Sequence, residues 1–349
     1  MSALDNKFMI GGTEIGKSFP CYIIAEIGIN HNGSIELAKK LIDNAAESGA
    51  NAVKFQKRNL DELYKHDVLK DPTIESQGLE ILLDVLNEVE FKKSEYDEII
   101  SYCKKKSITF LCTPWDRSSV DFLEHYDIPA FKIASADMTN FPLLDYICSK
   151  KKPIIVSTGM SEMNEIEKTV NFLKNKNANF LLLHCNSTYP SPNELLNLNL
   201  IPELEKKFNI LVGYSGHEQD IIPSLTAANL GAVLIERHIT LDKTMDGIDQ
   251  SVSLEPDEFK NLINYIRKSE IARGKPIKTM TRGEILQREV LGKSIICKKD
   301  IEFGEIFSQE NIDVKGPAKG LSPQFFYDLI GKNSKRHMKK GDYLQTEDL

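Results

Sequence analysis

Eight short apolar segments, separated by segments with helical periodicity, constrain the fold of this 349-residue chain more than any other feature. Each apolar segment is almost continuously hydrophobic, as is typical of parallel strands that are covered on both faces. The segments lie at residues 21–28, 52–56, 108–114, 130–135, 153–159, 180–185, 210–216 and 232–238. Between them, residues 34–49 open on a capping Ser34, carry apolar residues at helical spacing and end at Gly49; residues 94–107 and 163–176 repeat the pattern.

Eight strand–helix units within about 250 residues predict an α/β protein, a (β/α)8 TIM barrel. An open, doubly wound sheet is the alternative, but no G-x-G-x-x-G sequence follows the first strand. After residue 280, apolar and polar residues alternate between Gly and Pro breaks, which predicts a small, mostly β domain. We therefore expect a barrel over residues 1–280, a linker over 281–291 and a second domain over 292–349.

The composition excludes several classes of function. A net charge of −7 provides no electrostatic footprint for nucleic acid, and no signal pattern or spanning apolar run indicates a membrane. The six cysteines form no C-x-x-C pair, which favours reduced thiols over disulfides or a zinc site. We expect a globular, cytoplasmic protein with a small-molecule partner.

Polar residues stand at the carboxyl ends of the predicted strands, where TIM-barrel active sites lie. Any barrel rim must face water, but lysines and histidines inside apolar runs favour a functional rim. The candidates are Glu26, Lys54, Gln56, Thr113, Lys132, Ser135, Asp137, Ser157, Ser187, Tyr189, Ser215, His217, Glu236, His238 and Asp249.

Two of these candidates, His217 and His238, occupy equivalent positions on consecutive strands. Neighbouring strands lie about 4.8 Å apart, so the two imidazoles can converge on one ion. Two neutral nitrogens with carboxylate or water oxygens suit a divalent metal such as Mn²⁺. Two unrelated rim histidines, each satisfied by hydrogen bonds, are the alternative. His31 and His184 remain open between functional and structural roles, and His66, His125 and His337 are expected at the surface.

Lys54 and Lys132 indicate an anionic ligand, because burying an ammonium is costly unless a negative group meets it. Nearby hydroxyls could help to hold a phosphate and a carboxylate together. A structural ion pair with Glu26, Asp137 or Glu236 is one alternative, and a Schiff base on either lysine is another.

Several motifs together resemble the sialic acid synthase family over essentially the whole chain. They are "IIAEIGINHNG", "KFQK", "FKIAS", "STGM", "LLHCNSTYPSP", "GYSGH" and "IERHITLDKT", with "KKDIEFGEIFSQENIDVKGP" resembling an antifreeze-like (SAF) domain. The resemblance implies condensation of phosphoenolpyruvate with an acetamido hexose to a nonulosonic acid. It also implies a homodimer in which the C-terminal domain of one subunit covers the barrel of the other.

The resemblance implies roles for individual residues. The metal, Mn²⁺ with Mg²⁺ or Co²⁺ as alternatives, would be bound by His217 and His238, and Glu26 and Lys54 would be catalytic. Phosphoenolpyruvate would be bound by Lys54, Thr113, Lys132, Ser135, Ser157, Ser187 and Ser215. The open-chain sugar would be bound by Gln56, Asp137, Tyr189 and Asp249.

Two departures from the motifs of the family leave more than one sugar as a candidate substrate. Bacterial members that use free N-acetylmannosamine carry Arg before Pro in the C-terminal domain, where this chain has Gly316, with Lys315 and Lys319 nearby. Other motifs are closer to the branch that makes sialic acid 9-phosphate. A 6-phosphorylated or non-acetylated hexose is therefore an alternative substrate, and a catalytically silent sugar-binding protein is an alternative of another class.

Overall fold

The computed structural model describes residues 8–72 and 79–348. Contacts divide the chain into two compact units, with the boundary between Gly274 and Lys275. The predicted boundaries at 280 and 291 stay predictions. Residues 282–291, interpreted above as a linker, form a helix in the second unit.

The first described elements form an antiparallel hairpin, β1 (Phe8–Ile10) and β2 (Thr13–Ile15). Gly11 and Gly12 join the strands with positive φ angles of 55° and 84°. Positive φ at both turn positions matches the twist of a two-residue hairpin and strongly favours glycine. This hairpin was not among the predicted elements.

Eight parallel strands then close into a barrel, which confirms the TIM fold and excludes the open sheet. Each predicted apolar segment corresponds to one strand. They are β3 (Tyr22–Gly28), β4 (Ala52–Lys57), β5 (Thr109–Pro114), β6 (Phe131–Ile133), β7 (Ile154–Ser157), β8 (Phe180–Cys185), β9 (Val212–Gly216) and β10 (Leu234–His238). Closure comes from β10, which pairs with β9 on one side and with β3 on the other.

Helices connect successive strands of the barrel. Ser34 and Gly49 cap the first helix as predicted: the Ser34 side chain accepts from the N–H of Leu37, and Gly49 has a φ of 90°. The helices of this unit are α1 (Ile35–Ser48), α2 (Leu60–Leu63), α3 (His66–Lys70), α4 (Leu79–Val89), α5 (Lys93–Lys105), α6 (Arg117–Glu124), α7 (Phe141–Ser149), α8 (Met163–Asn175), α9 (Leu200–Phe208), α10 (Ile222–Asn229) and α11 (Pro256–Arg273). Within the described ranges, no helix is both long and apolar enough to cross a bilayer.

The hairpin fills the barrel interior at its amino end. Phe8, Ile10 and Ile15 are buried in one cluster with inward side chains of the strands, including Ile24 and Leu181. A larger cluster lies between the strands and the surrounding helices. The amino end is therefore occupied by apolar side chains, and polar chemistry is confined to the carboxyl end.

The second unit contains α12 (Arg282–Leu291), β11 (Ser294–Cys297), β12 (Ile312–Lys315) and α13 (Phe326–Leu329). The two strands pair antiparallel, and isolated bridges such as Ile301 with Met338 extend the β structure. Its small core includes Ile295, Phe307 and Leu344. All six cysteines of the chain are free, as expected from their spacing.

Candidate active site

Polar side chains from all eight barrel strands, or from residues just after them, converge at the carboxyl end of the barrel. They surround a cavity of about 310 Å³. Its walls include Glu26, Lys54, Gln56, Thr113, Lys132, Ser135, Ser157, Cys185, Ser187, Tyr189, Ser215, His217, Glu236 and His238. The structure thus brings together every candidate residue of the rim except Asp137 and Asp249.

Lys54 lies at the centre of a buried polar network. Its Nζ is 2.9 Å from Glu26 Oε2 and 3.6 Å from Glu236 Oε1, and it donates to Thr113 Oγ1 at 3.0 Å. Alternation along β4 puts Gln56 on the same face, and its Nε2 donates to Glu26 Oε1 at 2.8 Å. One oxygen of Glu26 is therefore hydrogen-bonded by Gln56, and the other forms an ion pair with Lys54.

Lys132 lies beside this network on β6. Its Nζ donates to Ser157 Oγ at 2.6 Å and to the Ile133 carbonyl at 3.0 Å, and it lies 3.8 Å from Glu236 Oε1. Ser215 also donates to Glu236 Oε1, at 3.3 Å. Glu236 therefore faces both lysines, and the predicted ion pairs with Glu26 and Glu236 are present.

Burial and neighbouring charge shift the pKa values of the four ionisable groups differently. Burial raises the pKa of Glu26 in spite of the adjacent Lys54 ammonium. Burial alone would also raise the pKa of Glu236, but Lys132 and Lys54 hold it below its usual range. Burial lowers the pKa of Lys132, whereas Glu236 and Glu26 outweigh burial at Lys54 and raise its pKa. Glu26 is thus the carboxyl group best placed to hold a proton.

Glycine at position 159 allows two of the predicted hydroxyl groups to approach the backbone closely. A Cβ atom on Gly159 would lie 2.1 Å from Ser187 Oγ and 2.6 Å from Ser135 Oγ. Any larger side chain at this position would displace both serines. The two predicted hydroxyls therefore occupy space that only a glycine at position 159 leaves to them.

The two predicted metal ligands are adjacent, with ring centroids of His217 and His238 5.4 Å apart. Nδ1 of His217 lies 2.7 Å from the Asn186 carbonyl, and its Nε2 lies 2.7 Å from the Tyr189 hydroxyl. Nδ1 of His238 is buried without a hydrogen-bond partner among the described residues and lies 3.6 Å from Asp249 Oδ2. Burial lowers the pKa of His238 to about 4, so this imidazole is neutral.

These contacts fit a pair of metal-binding histidines, provided that an ion takes the place of the Tyr189 hydroxyl at Nε2 of His217. In such pairs one ring nitrogen faces a carbonyl or carboxylate and orients the other nitrogen toward the ion. Within the described ranges, however, no group of three or more His, Cys, Asp and Glu side chains is arranged to hold a metal. A metal at this pair would need water or substrate oxygens for its remaining positions.

A second cavity of about 380 Å³ adjoins the first, and Gln56, Trp115, Ala136 and Tyr189 line both. The four residues predicted to bind the sugar all line it: Gln56, Asp137, Tyr189 and Asp249. Burial raises the pKa of Asp137. The two groups of predicted ligand residues thus border two adjoining spaces.

Several residues of these walls were not predicted from the sequence, among them Arg58, Trp115 and Cys185. Arg58 and Trp115 follow the ends of their predicted strands, where a pattern of apolar runs carries no information. Cys185 was counted only as a thiol, but its Sγ lies 3.9 Å from His217 Nδ1. The alternation of Lys54, Gln56 and residue 58 could have placed Arg58 on the inner face.

The remaining histidines have structural surroundings. His31 is buried, stacks on Phe91 with ring centroids 4.0 Å apart, and accepts from the N–H of Gly33 at 3.1 Å. His184 Nε2 lies 2.6 Å from the Leu196 carbonyl. Neither lines the main cavity. As expected, His66, His125 and His337 are exposed.

A buried ion pair lies directly behind the histidine pair. Arg237 and Glu218 are both 0% exposed, and Arg237 Nη1 lies 2.8 Å from Glu218 Oε1. Arg237 Nη1 also donates to Ser224 Oγ at 3.0 Å, and Tyr214 donates to Glu218 Oε2 at 2.8 Å. Because Glu218 follows His217 and Arg237 precedes His238, this network ties together the ends of β9 and β10.

Comparison with known proteins identifies relatives along most of the chain. A model of the NeuB family matches residues 41–278, and a model of the SAF domain matches residues 292–349. N,N'-diacetyllegionaminic acid synthase of Campylobacter jejuni is 41% identical over 328 residues, covering 93% of this chain and 98% of that protein. Human N-acetylneuraminate-9-phosphate synthase is 38% identical over 339 residues, covering 96% and 94%.

A solved structure has the same architecture. The N-acetylneuraminic acid (sialic acid) synthetase of Leptospira borgpetersenii, in complex with citrate, matches with a TM-score of 0.73 and 33% sequence identity. The match covers 81% of this chain and 95% of that one. The proteins named in these comparisons differ in their products.

Proposed function

Because this chain belongs to the NeuB family and carries a SAF domain, we propose that it condenses phosphoenolpyruvate with an open-chain N-acetylmannosamine-type sugar and releases phosphate. One observation carries the proposal. Lys54 and Lys132 are buried at one cavity, and both face Glu236. This cavity adjoins the one lined by the four predicted sugar-binding residues.

Phosphoenolpyruvate fits the first cavity by charge and by hydrogen bonding. Its phosphate and carboxylate would meet the ammonium groups of Lys54 and Lys132. The hydroxyls of Thr113, Ser135, Ser157, Ser187 and Ser215 lie on the same walls and supply further donors. Donors that are already in place at a water-poor site stabilise developing charge without reorganisation.

The bond-forming steps need a group that both accepts and returns a proton. C3 of phosphoenolpyruvate attacks the aldehyde carbon, which leaves an alkoxide on the sugar and positive charge at C2. Water adds at C2 and loses a proton to Glu26, which passes it to the alkoxide. The resulting tetrahedral centre expels phosphate by C–O cleavage; the proton of its C2 hydroxyl leaves with the phosphate, and C2 becomes the ketone of the 2-keto acid. The raised pKa of Glu26 supports this role.

We propose His217 and His238 as the residues that hold a divalent metal, Mn²⁺ first, with Mg²⁺ or Co²⁺ as alternatives. When bound, the metal supplies Lewis-acid polarisation of the sugar aldehyde. The Asn186 carbonyl and Asp249 orient the two imidazoles, and Tyr189 stacks on His217 with ring centroids 4.1 Å apart. These contacts hold the rings in place before any ligand arrives.

Three alternatives remain distinguishable. Because position 316 is Gly where Arg was expected, 6-phosphorylated and non-acetylated hexoses are alternative substrates. The paired Lys54, whose pKa is raised, is a poor Schiff-base nucleophile, and borohydride trapping of pyruvate would reveal such chemistry at Lys132. A silent sugar-binding protein would bind hexoses without consuming phosphoenolpyruvate.

We further propose a domain-swapped homodimer in the cytoplasm. The side chains of Ile285, Leu286, Val290 and Leu291 on α12 are exposed. Exposed apolar side chains clustered on one helix are typical of an interaction surface, which supports a second copy of this chain as partner.

The reaction is tested with phosphoenolpyruvate that carries ¹⁸O in its C–O–P bridge. We expect labelled phosphate to appear only when an acceptor hexose is present, and turnover to stop in the presence of a chelator and in His217→Ala. Unlabelled phosphate would contradict C–O cleavage. Full turnover of chelator-treated protein would contradict the metal assignment while leaving the condensation intact.

A further inference from the structure

A buried guanidinium in the second cavity has no role in the reaction described above. Arg58 follows the end of β4, two residues beyond Gln56 and four beyond Lys54. A strand advances about 3.3 Å per residue, so the Arg58 backbone lies roughly 7 Å beyond that of Gln56 on the same face, and its guanidinium reaches back to the Gln56 side chain. A sugar whose aldehyde lies near Lys54 and whose chain passes Gln56 would extend toward Arg58.

Neighbouring side chains hold Arg58 in place, but its guanidinium has no close carboxylate partner among the described residues. The residue is 8% exposed, and its guanidinium carbon lies 4.5 Å from the ring centroid of Trp115. Its Nη2 donates to Gln56 Oε1. In the described part of the chain, no carboxylate forms an ion pair with Arg58 within 4.0 Å, although Glu90 and Asp249 lie near enough to attract it. The guanidinium therefore retains hydrogen-bonding capacity for a ligand.

The other walls of this cavity disfavour a phosphate. Of the described residues that line it, only Arg58 is cationic, whereas Asp137 and Asp249 are carboxylic acids. Most of the rest are apolar: Ile29, Leu63, Leu82, Leu86 and Ile248. A phosphate dianion would have one cation, two acidic groups and an apolar surface around it, so its lost hydration would be poorly replaced.

The same walls suit a neutral acyl amide. The amide oxygen accepts hydrogen bonds from a guanidinium, its N–H donates to a carboxylate, and its methyl group packs on aliphatic side chains. Asp137 Oδ2 is buried without a hydrogen-bond partner in the described structure, which leaves an acceptor to satisfy. The size of the cavity, about 380 Å³, leaves room for the end of a hexose with such a substituent.

We propose that the second cavity selects an acceptor sugar with an acetamido group distal to its aldehyde, and that Arg58 donates to the acyl oxygen of that group. The inference rests on the proposed condensation and narrows its acceptor to a diacetamido hexose that is not phosphorylated. Arg58 is then a specificity residue that touches the distal acetamido group of the substrate and takes no part in bond formation.

Direct binding tests the proposal independently of turnover. Trp115 is the single tryptophan of the chain and lines both cavities, so its fluorescence reports acceptor binding. The full-length protein is titrated with a 2,4-diacetamido hexose, N-acetylmannosamine and N-acetylmannosamine 6-phosphate. We expect the diacetamido hexose to bind at least about tenfold more tightly than the other two, because it gains a hydrogen bond to a charged donor.

Variants assign the preference to Arg58. In Arg58→Met, calorimetry should find this tenfold preference lost, and kcat/KM for the diacetamido hexose should fall about 10- to 100-fold. The KM for phosphoenolpyruvate should stay within about twofold. Arg117→Met is the matched control, because Arg117 also stacks on an aromatic ring, that of Tyr146, but outside both cavities.

Two results would overturn the proposal. Tighter binding of the 6-phosphate that disappears in Arg58→Met would make Arg58 a phosphate ligand. An unchanged acceptor preference in Arg58→Met would remove Arg58 from substrate selection. Failure of every hexose to release phosphate from phosphoenolpyruvate would instead refute the condensation, and the inference with it.

Discussion

At the scale of single residues, the site is a row of buried charges of alternating sign. Glu26, Lys54, Glu236 and Lys132 follow one another at 2.9, 3.6 and 3.8 Å. Each lysine has a carboxylate partner, so its burial is tolerated without a ligand. A doubly anionic ligand would compete with Glu236 for both ammonium groups, so the ion-pair and anion-binding interpretations are compatible.

Replacing Lys132 should weaken the binding of phosphoenolpyruvate more than it affects the sugar. Lys132→Met removes the ammonium beside Ser157 while keeping most of the side-chain volume. Loss of a hydrogen bond to a charged group should raise the KM for phosphoenolpyruvate about 10- to 100-fold. Steady-state phosphate release measures this. Lys152→Met, which removes a pair with Asp127 outside the cavity, is the control. An unaltered KM would refute the assignment.

His31 should make stability depend on pH. Burial lowers its pKa from 6.5 to about 3 in the folded protein. Between these values the unfolded chain binds the extra proton, so the free energy of unfolding should fall with falling pH, by about 1.4 kcal/mol per unit from this residue. Urea denaturation at pH 7, 6 and 5 should show a shallower decline for His31→Asn. The exposed His125→Asn should keep the wild-type decline, and equal declines in all three proteins would contradict the buried, neutral state of His31.

At the scale of elements, the barrel strands are visible in the local sequence, whereas the N-terminal hairpin depends on tertiary packing. Each barrel strand is buried on both faces, so burial is visible as a continuous apolar run. The hairpin strands are three residues each, and β1 alternates buried Phe8 and Ile10 with exposed Met9. Their stability comes from packing into the amino end of the barrel.

The hairpin should therefore contribute to barrel stability without contributing to catalysis. Ile10 is fully buried among inward barrel side chains, and Ile10→Ala should lower the free energy of unfolding by about 2–5 kcal/mol. Met9→Ala, on the exposed face of the same strand, should change it by about 0.5 kcal/mol or less. Chemical denaturation compares the two. Equal losses would contradict the packed role of the hairpin, and a changed kcat in folded Ile10→Ala would contradict its separation from the site.

The difference between regular strands and segments placed by tertiary packing also explains which parts of the site could be predicted from the sequence. Lysines and histidines inside apolar runs identify the first cavity because the strands that carry them are regular. The second cavity is built from loops and short helices, such as Leu63 on α2 and Ile248 after β10, whose approach depends on tertiary packing. The hairpin was missed because its position depends on contacts distant in sequence, whereas Arg58 was missed because it lies just past a predicted apolar run.

At the scale of the whole molecule, a barrel unit with both cavities precedes a separate small β unit. The first unit contains every residue that the proposed reaction uses. The second has its own core and exposes apolar side chains of α12, which is costly in water unless a partner covers them.

A dimer is the expected state in solution. Sedimentation equilibrium of the full chain should give twice the 39.5 kDa subunit mass. Placing a charge in the apolar cluster with Val290→Glu should shift the equilibrium toward monomer, whereas the charge-preserving Arg288→Lys on the same helix should not. A monomeric wild-type chain with full activity would contradict the domain-swapped dimer.

The new carbon–carbon bond tests the central claim most directly. The protein is incubated with Mn²⁺, [3-¹³C]phosphoenolpyruvate and an acceptor hexose labelled with ¹³C at its aldehyde carbon. We predict a one-bond ¹³C–¹³C coupling in the product, with one phosphate released for each coupled pair. Phosphate release without this coupling, or no consumption of phosphoenolpyruvate with any acceptor, would contradict the assignment of this chain as a condensing synthase.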